Sequence, residues 1–194
     1  MLCKTPRTVC WSAIWNQNAT GPGLENVVLT ERGADSILLA FTEAGTPFRL
    51  IYRLVWDDQG RIREADLEVQ EDEEKRSLRL RSDGNGHWRH VHGDKLPELD
   101  GCIDIDIWPT PLTNSLPLWR TRLDINERRE YRMAWVCAPE LTVEAKPQAY
   151  TRLKDGVYLF ESLDGSGFRA ELEVDDELVV LDYPNLFIRV GGGS

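Results

Sequence analysis

Two aspartates two residues apart, Asp104 and Asp106, and two arginines two residues apart, Arg120 and Arg122, are the side chains whose type and spacing point most directly to chemistry. Residues i and i+2 of an extended strand share a face, so each pair projects to one side of its strand. Paired carboxylates can run glycoside hydrolysis as acid and base. Guanidinium neighbours, however, lower carboxyl pKa values, which opposes a proton-donating role and favours ion pairing or ligand recognition. Between the pairs runs Trp108-Pro109-Thr110-Pro111-Leu112-Thr113-Asn114-Ser115-Leu116-Pro117-Leu118-Trp119. Prolines stiffen this loop, and Thr110, Thr113, Asn114 and Ser115 bring both donors and acceptors. Trp108 and Trp119 flank it with flat apolar surfaces. Hydroxyls and an amide beside indole rings suit a sugar, whose hydroxyls meet the polar groups while its C–H face lies against the rings.

An antiparallel hairpin centred on Thr113 would place Asp106 opposite Arg120 and Asp104 opposite Arg122, with Ile103, Ile105 and Ile107 on the other face. Exposed cross-strand pairs of this kind contribute about 0.2–1 kcal/mol each. Turned inward they are costly to retain, so an inward ladder would mark a polar, hydrated cavity. The rest of the chain also reads as strands. Phe48 to Trp56 alternates into the turn Asp57-Asp58-Gln59-Gly60, and Leu67/Val69 and Leu78/Leu80 flank a charged connection from Glu71 to Arg76. Spacing of two rather than three and four makes residues 61–81 a pair of strands and not a helix. A return strand with Trp88 and Val91 follows the turn Ser82-Asp83-Gly84-Asn85-Gly86. Frequent prolines leave room only for short helices, in 11–20 or 139–150. Leu54 to Val69 is echoed by Glu161 to Val174, which suggests two β halves, about 15–95 and 118–190, within a single domain of residues 1–190. Gly191 to Ser194 reads as a flexible tail.

Composition narrows the function classes. The 33 acidic against 23 basic residues give a net charge of −10, which repels phosphate backbones and argues against nucleic acid as a partner. Neither a signal-peptide core nor a membrane-spanning segment is present, so a cytoplasmic location with reduced Cys3, Cys10, Cys102 and Cys137 is expected. His90 and His92 share the alternation of metal sites, yet a third ligand would have to come from His87 or a distant acid; no metal and no cofactor is assigned. There is no nucleophile elbow and no phosphate-binding glycine loop. Cys102 reads as a small apolar core residue.

Several motifs together resemble the bacterial glycolipid-binding family, many members of which are known only as domains of unknown function. The resemblance is carried by Leu99-Asp100-Gly101-Cys102-Ile103-Asp104-Ile105-Asp106, Thr110 to Pro117, Gln148-Ala149-Tyr150, Gly167-Phe168, Asp182-Tyr183-Pro184 and Arg189-Val190, spanning about Trp15 to Val190. One departure is Trp119 before Arg120, where the family tends to carry adjacent basic residues. The resemblance implies a curved β-sheet or barrel-like fold with a cavity for an amphipathic ligand, and no catalytic residue. Trp108, Trp119 and Tyr150 are then expected to line its apolar walls. Thr113, Asn114, Arg120 and Arg122, with Thr110 and the two aspartates, are expected to meet a polar head group. The expectation is thus a mainly β, non-catalytic binder of an amphipathic molecule such as a glycolipid. A protein-interaction module, or a hydrolase using Asp104 and Asp106, are the alternatives.

Overall fold

The computed structural model describes residues 6–13 and 23–192. Its first strands are β1 (Arg7–Ala13), β2 (Gly23–Thr30), β3 (Gly33–Phe41), β4 (Pro47–Trp56), β5 (Ile62–Glu71), β6 (Glu74–Ser82) and β7 (Trp88–His90). Then come β8 (Asp104–Trp108), the short helix α1 (Ser115–Thr121), β9 (Arg128–Cys137) and β10 (Thr142–Lys154). The last are β11 (Val157–Ser162), β12 (Arg169–Val174), β13 (Val180–Tyr183) and β14 (Phe187–Gly191). Alternation drives the strands: in β4, Phe48, Leu50, Tyr52, Leu54 and Trp56 are buried while Arg49, Ile51 and Arg53 face out.

The fourteen strands of the described residues belong to one curved, unclosed sheet in the order β7 to β1 and then β14 to β8. The chain winds out from β1 to one edge, crosses to β8 at the opposite edge, and winds back to pair β14 with β1. Among the described residues the two edge strands, β7 and β8, do not pair, so the curved sheet is not closed into a barrel. The echoed turns join β4 to β5 and β11 to β12, the same place in each run of seven strands. The edge at β7 carries Arg81, Arg89 and Lys95 in adjacent register, a row of like charges that discourages further strand addition.

Three local expectations need correction. The connection from Glu71 to Arg76 is a tight hairpin around Asp72 and Glu73, with Glu71 opposite Glu74. Residues 142–154 are the strand β10 rather than a helix, and the part of 11–20 that is described, Trp11 to Ala13, lies in β1. Gly191 closes β14 opposite Cys10 instead of joining a tail; Gly193, Ser194 and residues 14–20 lie outside the described residues.

No hairpin forms around Thr113: β8 pairs with β9 in parallel, Asp104 opposite Met133 and Asp106 opposite Trp135. Parallel neighbours need a crossover, and the segment that looked like a return strand supplies it as helix α1. Pro117 sits in the first turn, where its missing N–H costs nothing. Leu116 and Trp119, three residues apart, pack into one apolar cluster with Trp56, Ile105, Ile107 and Val136. Leu118 enters a second cluster with Tyr131, Met133, Tyr150 and Phe160. The β8–β9 layer is thus buried on both faces.

The turn before β7 is welded to the approach to β8. The Gly101 amide donates to the Gly86 carbonyl at 2.9 Å, and a Cβ on Gly86 (φ +93°) would stand 2.8 Å from the Gly101 Cα. Gly45 also has positive φ, +83°, but open space around it. Gly86→Ala is expected to destabilise by about 2 kcal/mol or more, whereas Gly45→Ala costs only the left-handed strain of about 1 kcal/mol. Urea unfolding of the two variants checks the difference.

Candidate ligand-binding site

On β8 the side chains of Asp104, Asp106 and Trp108 share one face, and their partners come from elements far apart in the chain. Asp104 is 1% exposed and is held by the Arg120 guanidinium of α1 through two bonds, Nε at 3.2 Å and Nη2 at 2.6 Å. Burial raises its carboxyl above the ordinary value, and Arg120 offsets part of that rise. The guanidinium also lies 5.8 Å from the Tyr131 ring centre. Asp106, expected opposite Arg120, instead accepts from the Thr113 hydroxyl at 2.9 Å and the Gln148 amide at 2.5 Å. Arg122, expected opposite Asp104, takes the left-handed position that ends α1 (φ 46°). The pairing differs because a helix advances 1.5 Å per residue and turns, which carries Arg120 alone to Asp104.

The loop after β8 is held from the other half of the sheet. Glu25 on β2 is 1% exposed and accepts three hydroxyls: Tyr52 at 2.6 Å, Thr110 at 2.7 Å and Ser36 at 2.8 Å. Burial raises its carboxyl from 4.5. The Thr110 oxygen also receives the Leu112 amide, and Thr113 receives the amide of Ile107. Asn114 donates to the Pro111 carbonyl and accepts from the Tyr150 hydroxyl at 2.9 Å. These contacts set the loop as one wall of a cavity.

That cavity, about 310 Å³, is lined by side chains of β8 to β11, β13 and β14 and of the segments after β8 and β11. Trp108, Trp135, Phe160, Phe168, Tyr183 and Phe187 supply its aromatic walls. The rings brace one another edge to face, Trp108 to Phe187 at 6.1 Å and Phe160 to Tyr183 at 6.2 Å between centres. Its polar groups are Asp106, Thr110, Asn114, Lys146, Gln148, Ser162, Asp164 and Ser166. Gln148 is 4% exposed, and its Oε1 is buried without a hydrogen-bond partner. Lys146 Nζ lies 3.2 Å from the Trp135 ring centre and 3.3 Å from Glu144. Asp164, at the rim, is held down to about 2 by the side chains of Ser166 and Ser162 and the Ser166 amide.

Of the ten candidate residues, Asp106, Trp108, Thr110 and Asn114 line this cavity. Thr113 and Tyr150 stand directly behind it, holding Asp106 and Asn114. Trp119 packs at 5.6 Å on Trp56 and donates to the Glu177 carbonyl, and Asp104, Arg120 and Arg122 lie outside the lining. Trp135, Lys146, Gln148, Phe160, Phe168, Tyr183 and Phe187 also line the cavity, beyond the candidates named from sequence. For three of them a signal existed: Gln148, Phe168 and Tyr183 lie within the family-like motifs. Among the described residues no three His, Cys, Asp or Glu side chains converge as metal ligands, and His87 instead contacts Asp83 at 2.8 Å. No helix among them is long and apolar enough to cross a membrane. Cys102 is fully buried, its thiol pushed up to about 11.

Fold and site together define a protein built on a curved open β-sheet that carries a cavity lined by aromatic and polar side chains. The chain belongs to the family described as "Putative glycolipid-binding", which residues 12–189 match. The crystal structure of a DUF1089 family protein from Pseudomonas aeruginosa is similar, with a TM-score of 0.85 and 43% identity over 91% of this chain and 97% of that one. No curated protein matches the chain.

Two outcomes are expected. Arg120→Met strands the Asp104 carboxylate and should destabilise by about 3–5 kcal/mol, while Asp104→Leu/Arg120→Met together recovers most of that loss; denaturant titration of single and double variants measures both. For Glu25, a folded value raised above the unfolded one means stability fully present below about pH 4.5. That stability is lost as pH rises through the raised folded value. Glu25→Gln should therefore lose ground to the wild type at pH 4 and regain it towards pH 8, read from unfolding midpoints across that range.

Proposed function

We propose that the protein binds an amphipathic ligand by enclosing its sugar-like head group in the cavity between β8–β11 and β13–β14, without catalysing its conversion. The observation that carries this reading is the combination of six aromatic walls with a buried, unpartnered acceptor, Gln148 Oε1. An unmet buried acceptor costs about 1–3 kcal/mol, a cost that a ligand hydroxyl would remove. Aromatic faces accept the C–H side of a pyranose. At about 310 Å³ the cavity is at the small end of ligand pockets, about 300–1,000 Å³, and suits a head group rather than a whole lipid. An acyl or alkyl tail then leaves past Phe168, which is 42% exposed at the rim. Asp106, Trp108, Thr110 and Asn114 contact the head group, with Thr113 and Tyr150 positioning them. The hydrolase alternative is weaker, because Asp104 is consumed by Arg120 away from the cavity. Cys10, Cys102 and Cys137 as free thiols fit a reducing bacterial cytoplasm.

An interaction module remains a second reading, favoured by Leu24, Ile37 and Leu39, each about half exposed on the outer face of β2 and β3. Native mass spectrometry of the purified protein and calorimetry with a panel of alkyl glycosides separate the two. Copurified lipid or saturable glycoside binding is expected, and Phe168→Ala should weaken it by about three- to tenfold with the fold retained. Repeated absence of both lipid and glycoside binding would refute the cavity role.

A further inference from the structure

The carboxylate at the floor of the cavity has no ion-pair partner among the described residues. Asp106 receives Thr113 and Gln148 on its two oxygens, both neutral donors. The cation nearest in the lining, Lys146, is drawn off to Glu144 at 3.3 Å and to the face of Trp135. A carboxylate recessed among aromatic rings is ordinarily matched by a positive charge. The orphan Gln148 Oε1 points to the same chemistry. In the structure its amide nitrogen faces the carboxylate, so its oxygen is turned away and is left without a donor. Asp164 at the rim adds a third acceptor and a second negative charge. The cavity is therefore rich in acceptors and negative in field, and a phosphate or carboxylate on the ligand would be repelled.

Resting on the carbohydrate reading above, we infer that the head group is an amino sugar with a free ammonium, paired to Asp106 while an adjacent hydroxyl or N–H donates to Gln148 Oε1. The side chains that face Asp106 or share its surroundings are Thr113 in the loop, Lys146, Gln148 and Tyr150 on β10, Asp164 in the β11–β12 turn and Tyr183 on β13. Of these only Lys146 is cationic; its charge favours the Asp106 carboxylate from a distance and is shared with Glu144 and Asp164, so an ammonium would add the direct countercharge that Asp106 lacks.

The test is calorimetric titration of the full chain with four octyl glycosides: of glucose, of glucosamine, of N-acetylglucosamine and of glucose 6-phosphate. The glucosamine glycoside should bind about tenfold or more tightly than the glucose glycoside, in line with a charge-assisted bond, and the phosphate should bind most weakly. Asp106→Asn should abolish the preference for the amine, bringing the ratio of amine to neutral glycoside affinity down to about one whatever the change in absolute affinity, with circular dichroism confirming the fold. Should that variant not fold, the wild type gives the same answer by pH. Burial raises the Asp106 carboxyl, so amine affinity should fall as pH drops through that raised value, while affinity for the glucose glycoside holds. Equal binding of amine and neutral rings, or tighter binding of the phosphate, would overturn the amino-sugar assignment and leave the carbohydrate site standing. Failure of all four to bind would overturn both.

Discussion

A buried carboxyl group must find hydrogen-bond donors or a countercharge, and in this protein that requirement organises the centre of the fold. Glu25, Asp104 and Asp106 are each removed from bulk water, and each is answered by residues distant in sequence. Glu25 reaches across the curved sheet to Thr110 and so pins the proline-rich loop to β2, β3 and β4. Asp104 anchors α1 through Arg120. Asp106 joins the same loop to β10 through Thr113 and Gln148. Because a half-satisfied polar network costs more than an apolar core, these three clusters leave the loop little alternative to its observed place. The cavity wall follows from that placement.

The three groups differ in what they have left to offer. Glu25 has three donors and no opening to the cavity. Asp104 has a full guanidinium. Asp106 has two neutral donors and an open side, which separates a residue that holds structure from one that can receive a ligand. The same distinction applies to the tryptophans. Trp119 is committed to Trp56 and the Glu177 carbonyl, whereas Trp108 meets Phe187 and presents its remaining surface to the cavity.

The parallel pairing of β8 with β9 is what turns an otherwise antiparallel sheet into a site. It requires a crossover, and the crossover brings a helix whose two faces feed two apolar clusters. With both faces of β8 covered, Ile105 and Ile107 serve one cluster while Asp104, Asp106 and Trp108 are directed to the other side. An antiparallel hairpin at this point would have left that second side in solvent, with its charges neutralising one another at little energetic consequence.

Local pattern was enough to read the strands. Period-two alternation in Phe48 to Trp56, in Leu67/Val69 and in Leu78/Leu80 depends only on which side of a sheet each residue must bury, and the turns at Asp57–Gly60 and Ser82–Gly86 depend on their own side chains and glycines. The loop with its threonines, asparagine and flanking tryptophans was likewise legible, since stiffness and donor content are local properties. What sequence could not decide was the partner of each charged side chain. Arg120 and Arg122 alternate as well in a strand as they sit on a short helix, and seven residues with a proline carry too little periodicity to choose. The aromatic walls from Trp135, Phe160, Phe168, Tyr183 and Phe187 come from five separate elements, and only the winding of β8 to β14 back against β1 brings them around Asp106. Residue chemistry thus settled which groups were available for recognition. Long-range strand order settled which of them share one enclosed volume, because neighbours in that volume are far apart along the chain.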